Sequence, residues 1–164
     1  MKKQGFFKNA ELLRCYFGII PLMYGSLGLE YITGESLCAD DVDILIPEKF
    51  ITDKWDEFKG ILISEGYILI DAHEHTFIKD GICFSYASIE ELESFANINL
   101  SDIEQRVIDG IEFKVLSLEQ YLRVYQSSVK DGYRVNVRQK KDNEKITFIE
   151  KMLRVKGVDK SRET

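Results

Sequence analysis

Cysteine and histidine are scarce in this chain of 164 residues, which has three cysteines and two histidines. Cys15, Cys38 and Cys83 are odd in number, lie far apart and form no Cys-x-x-Cys pair, so the sequence predicts neither a disulfide framework nor a zinc cluster. No apolar run approaches the length of a membrane span, and the first residues lack the apolar stretch of a signal peptide. We therefore expect a cytoplasmic protein that does not enter a membrane.

An excess of basic residues is also missing, because 22 Lys and Arg face 28 Asp and Glu, for a net charge of -6. Proteins that bind nucleic acid broadly need a basic surface to neutralise phosphates. The charge therefore argues against broad nucleic-acid binding and favours a small ligand or a basic one. The 45% hydrophobic and 30% charged content is typical of a globular protein. We expect one domain over residues 1–164, either monomeric or homodimeric.

Helical spacing and cap residues predict three helices in the first half of the chain. The predicted N-caps are Asn9 for the first helix and Thr52 or Asp53 for the third, and the second helix covers residues 27–32. Each predicted helix ends at a glycine that suits a left-handed backbone: Gly18, Gly34 and Gly66.

Short apolar runs bounded by turn residues predict seven strands. Asp80-Gly81 and Asp109-Gly110 suit the positive backbone dihedrals of tight hairpin turns. The predicted strands are residues 19–24, 42–46, 67–70, 75–79, 82–86, 106–108 and 112–116.

Two capping-box spacings predict helices in the second half of the chain, Ser88 with Glu91 and Ser117 with Gln120. A last helix is predicted to end near Gly157.

The order of these elements predicts an α+β fold of the α/β type, with a mixed sheet flanked by helices. The core of the domain is expected over about residues 9–116. A small helical part is expected over about residues 117–157.

Two carboxylates beside a Gly-Ser pair are the residues most suited to chemistry. Alternate residues of a strand share a face, so we expect Asp41 and Asp43 to point the same way. Two such carboxylates repel unless a cation lies between them, and oxygen ligands suit Mg²⁺ with its substrate phosphates. Gly25 at the end of the preceding strand lets the backbone approach a triphosphate, and Ser26 offers a hydroxyl and an N–H. An isolated Asp-x-Asp would only indicate a turn entering a strand.

The order of strand, Gly-Ser, short helix, loop and Asp-hydrophobic-Asp-hydrophobic resembles the nucleotidyltransferase superfamily. In particular, it resembles the small adenylyltransferases that modify lincosamide and aminoglycoside antibiotics, and their relatives of unknown substrate. The residues that carry the resemblance most strongly are Gly25-Ser26 and Asp41-Val42-Asp43-Ile44, and the weaker matches are Gly66-Tyr67, Phe77, Gly81, residues 115–122 and Lys141-Asp142.

The resemblance implies magnesium-dependent transfer of a nucleoside monophosphate from a nucleoside triphosphate, with ATP expected, to a hydroxyl of a small molecule. Asp41 and Asp43 would be the metal-binding and catalytic carboxylates, and Gly25 and Ser26 would bind the nucleotide. An acidic surface would suit a cationic acceptor.

One residue departs from the pattern of active members, which carry a third carboxylate on a later strand. Ser85 occupies that position here, and a serine has neither the charge nor the basicity for the work at neutral pH. The candidate substitutes are Asp71, Glu74 and Glu90, although the first two would equally be solvated turn residues. Glu90 would equally be an acid in the first turn of a helix.

His73 and His75 are two residues apart and would share a face on a strand. Two ligands are too few for a transition-metal site, so residues beside a turn are the favoured interpretation.

Three functional hypotheses remain open. The first is the nucleotidyltransferase, and the second is a catalytically impaired protein that binds a nucleotide or metabolite, which the serine at position 85 favours. The third is a toxin–antitoxin partner related to the superfamily, which has no direct support in the residues.

Overall fold

The computed structural model describes the backbone of residues 1–130 and 136–162, and the side chains of residues 1–130 and 140–156. Backbone contacts divide the chain into two compact units. The first comprises Met1–Glu90 and Ile103–Leu116, and the second comprises Glu91–Asp102 and the described residues from Ser117 onward. The sequence did not predict that residues 91–102 group with the C-terminal helices.

The first unit is built on a mixed sheet of seven strands, which confirms the predicted α+β fold class. Their order across the sheet is β3-β4-β5-β2-β1-β7-β6, so β2 lies between an antiparallel β1 and a parallel β5. The strands are β1 (Leu22–Tyr24), β2 (Val42–Ile46), β3 (Ile68–Asp71), β4 (Thr76–Lys79), β5 (Ile82–Ser88), β6 (Glu104–Ile108) and β7 (Ile111–Val115).

One face of this sheet forms a hydrophobic core with helices. Val42 and Ile44 of β2 are buried beside Phe84 and Tyr86 of β5, and the ring of Phe58 packs edge-on against Tyr86 at 5.1 Å between centroids. Because side chains alternate along a strand, the residues between these positions point to the other face. The helices of this unit are α1 (Lys2–Phe17), α2 (Gly25–Thr33) and α3 (Trp55–Ser64).

The predicted N-cap of the first helix is wrong, because α1 begins at Lys2 and Asn9 lies in its middle. The side chain of Asn9 is fully buried, and its amide donates a hydrogen bond of 3.0 Å to the hydroxyl of Tyr67. Burial raises the pKa of that Tyr67 hydroxyl. A tertiary hydrogen bond thus explains a polar residue that local sequence assigned to a cap. The predicted end is confirmed, since Gly18 has a φ of 66°.

The predicted caps of the third helix are also wrong. The helix α3 begins at Trp55 after Lys54, and no side chain caps it. The hydroxyl of Thr52 instead donates to the carbonyl of Glu48. The predicted glycine at the end of α2 is confirmed, because Gly34 has a φ of 76°.

Both predicted hairpin turns are confirmed. Asp80 and Gly81 have φ values of 52° and 76°, and Asp109 and Gly110 have values of 51° and 78°. These are the positive dihedrals that a two-residue turn between twisted strands requires.

The second unit is helical, and its predicted capping box at Ser117 is confirmed. The backbone N–H of Ser117 donates to Gln120 Oε1 at 2.9 Å, and the N–H of Gln120 donates to Ser117 Oγ at 3.1 Å. The helices are α4 (Glu91–Ala96), α5 (Leu118–Lys130) and α6 (Asn136–Arg162).

Two other predictions for this half of the chain are wrong. Ser88 caps no helix, because it is the buried last residue of β5 and its hydroxyl donates to Glu90 Oε2 at 2.9 Å. The last helix does not end near Gly157 but continues to Arg162.

The helices of the second unit pack as α4 on α5 and α5 on α6. Asp142 is 6% exposed, and the hydroxyl of Ser128 donates to its Oδ2 at 2.6 Å, while Lys141 is exposed. In the part of the chain that the structure covers, none of the helices combines the length and apolar character that crossing a membrane requires.

Candidate functional site

A row of side chains crosses the middle of the sheet on the face opposite the hydrophobic core. Asp43 of β2 pairs with Tyr24 of β1 on one side and with Ser85 of β5 on the other. Ser85 pairs in turn with Thr76 of β4. Side chains at paired positions lie on the same face about 5 Å apart. The structure therefore brings Ser85 next to Asp43. The resemblance leads us to expect a third carboxylate at this position.

Gly25 lies directly against the carboxylate of Asp43. A Cβ atom added to Gly25 would lie 2.5 Å from Asp43 Oδ2 and 3.3 Å from Asp43 Cγ. Gly25 also has a φ of 63°, which favours glycine. Both the backbone angle and the space exclude a side chain here, so the first backbone atoms of α2 approach the carboxylate closely.

The N-terminus of α2 faces this corner, because Gly25 and Ser26 are its first two residues. The first N–H groups of a helix have no intrahelical acceptor, and the helix dipole adds a partial positive charge there. Both residues are half-buried, and the preceding Tyr24 contributes no side-chain cap. Such a helix end suits the negative charge of a phosphate.

Asp41 lies just outside β2, in a bend, and is exposed. The alternation rule for strands therefore applies to Asp43 and not to Asp41, so β2 does not determine the direction of the Asp41 side chain. The two carboxylates remain separated by only Val42, which is the buried first residue of the strand.

Ser85 and Thr76 form a hydroxyl pair beside Asp43. Their oxygens are 2.8 Å apart, and both side chains are half-buried. A neutral hydroxyl pair thus occupies the position at which the resemblance leads us to expect a carboxylate.

Asp71 and Glu74 are placed away from the Asp43 carboxylate. Asp71 pairs with Thr76, three strands from Asp43, which is about 14 Å at the usual strand spacing. Its Oδ1 accepts the backbone N–H groups of His73 and Glu74 at 3.0 and 3.1 Å. These bonds give Asp71 a role in the turn, and the side chain of Glu74 is exposed in that turn.

Glu90 lies at the other end of the parallel pair β2 and β5. It lies two residues after Ser88, the last residue of β5, whereas Asp43 is the second residue of β2. Its Oε2 accepts the backbone N–H of Glu48 at 2.7 Å and the hydroxyl of Ser88. The structure therefore does not bring Glu90 to the corner of Gly25 and Asp43.

The two histidines lie in the turn between β3 and β4 and not on a strand. His73 is exposed, and its Nε2 lies 4.0 Å from Glu74 Oε1. His75 has a φ of 51°, and its ring packs edge-on against Trp55 at 4.7 Å between centroids. Burial lowers the pKa of His75. The premise that the pair shares a strand face is thus wrong.

Comparison with known proteins shows the family to which the chain belongs. No family model matches the chain. The uncharacterized protein YnaI of Bacillus subtilis (strain 168) is 36% identical over 149 residues, which are 91% of this chain and 96% of YnaI. The chain belongs to the same family as YnaI.

Solved structures similar to this family member are nucleotidyltransferase-like. An antigenic nucleotidyltransferase-like protein from Paracoccidioides brasiliensis is 17% identical, with a TM-score of 0.59 over 90% of this chain and 74% of that chain. ANT(2'')-Ia in complex with adenylyl-2''-tobramycin is 11% identical, with a TM-score of 0.55 over the whole of both chains. The predicted nucleotidyltransferase fold is therefore confirmed. Identities this low establish the fold, and the activity has to be argued from the site.

The donor set of this YnaI relative suits a hard cation bound together with phosphates. Among the side chains that the structure describes, no three His, Cys, Asp or Glu residues cluster as a metal site. Mg²⁺ nevertheless binds through one or two carboxylates, with waters and substrate phosphates completing its octahedron. Asp41 and Asp43 provide such carboxylates, and a side chain at position 25 would collide with Asp43 Oδ2.

Glu30 is a residue of interest that sequence reasoning missed. Its Oε1 accepts the backbone N–H groups of Leu37 and Ala39, at 2.7 and 3.0 Å, in the loop before Asp41. The acceptor and its donors are seven and nine residues apart across a loop, and no local motif signals such a bond. Only the folded loop reveals it.

Proposed function

We propose that this protein binds a nucleoside triphosphate with magnesium and transfers the nucleoside monophosphate to a hydroxyl of a small molecule. The observation that supports the proposal most directly is the approach of Gly25 to Asp43, where an added Cβ would lie 2.5 Å from Oδ2. It places the positive end of α2 beside a carboxylate, so a phosphate and a cation would both be stabilised at one corner.

Asp41 and Asp43 are the residues that would hold the cation. A bound Mg²⁺ would neutralise the charge of the triphosphate and of the leaving pyrophosphate. The half-buried position of Asp43 reduces competition from bulk water, while exposed Asp41 leaves access for a ligand.

Gly25 and Ser26 would orient the phosphates. Their N–H groups belong to the first turn of α2, and the Ser26 hydroxyl adds a further donor. Holding the phosphates in one orientation would keep the reacting phosphorus in line with the acceptor hydroxyl, which supplies much of the rate enhancement in such transfers.

ATP is the proposed nucleotide and a cationic molecule the proposed acceptor. The fold is similar to that of ANT(2'')-Ia, which has been solved with adenylyl-2''-tobramycin. The net charge of -6 favours the approach of a cationic acceptor. We further propose a cytoplasmic protein that acts as a monomer or homodimer and does not bind nucleic acid broadly.

Calorimetry with ATP, GTP, CTP and UTP, each with and without Mg²⁺, tests the binding part of this proposal. We expect one nucleotide to bind in a Mg²⁺-dependent manner to the wild type and much more weakly to Asp41→Asn and Asp43→Asn. Binding that ignores both Mg²⁺ and the two substitutions would contradict the metal site.

A second function is favoured by the hydroxyl pair of Ser85 and Thr76. If no carboxylate acts at that position, the protein would bind a nucleotide or metabolite without efficient turnover. Pyrophosphate release across a panel of hydroxylated acceptors separates the two functions. Release above the acceptor-free control supports the transferase, and its absence despite confirmed nucleotide binding supports the binding protein.

A further inference from the structure

We propose that Glu30 is a positioning residue that fixes the loop carrying Asp41, and thereby sets the affinity of the site for a magnesium nucleotide. This inference rests on the proposed function. The segment of residues 34–41, which we call the Asp41 loop, joins α2 to β2.

One carboxylate oxygen of Glu30 binds two backbone groups of the Asp41 loop. Oε1 of Glu30 accepts the N–H of Leu37 at 2.7 Å and the N–H of Ala39 at 3.0 Å. The carbonyl of Glu30 also accepts the N–H of Gly34 at 2.8 Å. A single residue of α2 therefore holds the loop at its first residue and again just before its end.

The two side-chain bonds hold an unusual backbone conformation between them. Cys38 has a φ of 53°, which a residue with a side chain rarely adopts. Its neighbours are the two residues whose N–H groups converge on Glu30. The two hydrogen bonds to a side-chain oxygen at the position of Oε1 offset the cost of this conformation.

The helix α2 does not itself favour a carboxylate at position 30. It lies in the last turn of α2, where a negative charge interacts unfavourably with the helix dipole. The two loop N–H groups are therefore the described partners of this carboxylate, and the helix offers it none.

The hydrogen bonds of Glu30 affect Asp41 because the loop that they hold leads directly to it. Ala39 is 6% exposed and anchors the loop in the core, and Asp41 follows it by two residues. With Glu30 in place, the backbone enters β2 in one geometry, so exposed Asp41 is held near Asp43 at little entropic cost. Without the two hydrogen bonds to Glu30, Asp41 would have to be ordered when the cation binds.

Calorimetric titration of ATP, with and without Mg²⁺, tests this role in four variants. Glu30→Ala removes the acceptor, and Glu30→Asp keeps the charge but shortens the side chain so that it cannot reach both N–H groups. Glu30→Gln keeps an oxygen at the same place. Glu65→Ala is the matched control, because it removes a carboxylate of the same unit that accepts a hydrogen bond from Tyr16.

We expect Glu30→Ala and Glu30→Asp to weaken Mg²⁺-dependent ATP binding by roughly 10- to 100-fold, as loss of residues that orient metal ligands does. Glu30→Gln and Glu65→Ala should bind like the wild type. A merely structural role would lower thermal stability without changing the Mg²⁺ dependence of binding. If Glu30→Ala does not fold, the comparison of Glu30→Asp with Glu30→Gln decides.

The outcomes separate this inference from the proposed function. Wild-type affinity in both Glu30→Ala and Glu30→Asp, or in Glu30→Asp alone where the alanine variant is unfolded, overturns the role of Glu30 and leaves the proposed function standing. Equal weakening in Glu30→Gln and Glu30→Asp also overturns it, because the amide retains the acceptor. Absence of Mg²⁺-dependent binding in the wild type overturns the proposed function and this inference together.

Discussion

At Gly25 two separate requirements for glycine coincide. The backbone has a φ of 63°, and the side-chain position is filled by the carboxylate of Asp43. Gly18 has nearly the same φ of 66°, but no heavy atom lies within 4 Å of an added Cβ. The pair of glycines therefore separates the cost of the backbone angle from the cost of the close approach.

Alanine substitution at the two positions measures that difference. We expect Gly18→Ala to lower the free energy of unfolding by about 1–2 kcal/mol, the cost of a left-handed residue with a side chain. Gly25→Ala should lower it by clearly more, because Asp43 must also move. It should also weaken ATP binding, which Gly18→Ala should leave unchanged. Equal destabilisation in urea unfolding would contradict the close packing of Gly25 on Asp43.

Replacing Ser85 tests whether the site lacks a third carboxylate at this position. In Ser85→Asp a carboxylate would lie beside Asp43, one strand away, at the position of the hydroxyl pair. We expect Mg²⁺-dependent pyrophosphate release to rise by at least about 10-fold, because a correctly placed acid–base group contributes roughly 10²-fold or more.

Ser85→Asn is the control for this prediction, because it has the same shape without the charge. It should not raise the rate of pyrophosphate release. Equal rates for the aspartate, the asparagine and the wild type would show that position 85 is not the place of a third carboxylate.

The roles of individual side chains were hard to predict where the side chain can hydrogen-bond to several kinds of partner. Asn9 and Ser88 matched helix-cap patterns, but one binds Tyr67 across 58 residues and the other binds Glu90 at the end of a strand. Local sequence ranks only local partners, so the tertiary bond of Asn9 could not be predicted. Ser88 does bind a local partner, but the local pattern did not show that β5 continues to Ser88. The proximity of Gly25 and Asp43 was predictable, because β1 and β2 follow each other in the chain and pair in the sheet.

Among the elements, the turns were predicted best. The two Asp-Gly pairs fold into hairpins, because both residues tolerate positive φ and neighbouring apolar runs fix the strand register. The turn between β3 and β4 was predicted with a different boundary, because His75 was assigned to the start of a strand. It contains four residues, and one of them, His75, takes a positive φ that its sequence did not indicate.

That turn gives a prediction for the pH dependence of stability. Burial lowers the pKa of His75, with Glu74 opposing this, His73 adding to it and Asp71 opposing it. The unfolded chain therefore binds this proton more readily than the folded protein. The contribution to stability is complete above the ordinary histidine pKa of about 6.5 and is lost as the pH falls below it toward the folded pKa.

Urea unfolding of the wild type and His75→Asn, at about pH 7.5 and about pH 5.5, measures the effect. Asparagine tolerates the left-handed backbone and does not titrate. We expect the free energy of unfolding of the wild type to fall, relative to that of His75→Asn, at the lower pH. A pH-independent difference for His75→Asn would contradict the burial of its ring on Trp55.

For the whole molecule, the fold was predictable from the order of its elements and the activity was not. The motif residues Gly25, Ser26, Asp41 and Asp43 all belong to the first unit, so their arrangement is set by one sheet and one helix. The grouping of residues 91–102 with the C-terminal helices was not predictable, because the apolar residues of a short segment do not indicate which other element they pack against. Similar folds in relatives do not decide which ligand the corner binds.

The central claim is that the corner of Gly25 and Asp43 binds a nucleotide through a cation, and one titration tests it most directly. ATP binding is measured by calorimetry at increasing Mg²⁺ in the wild type, in Asp43→Asn and in Asp56→Asn, which changes an exposed carboxylate on α3. We predict that affinity rises with Mg²⁺ in the wild type and in Asp56→Asn and that this rise is lost in Asp43→Asn. The same rise in all three proteins, or in none, would contradict the claim.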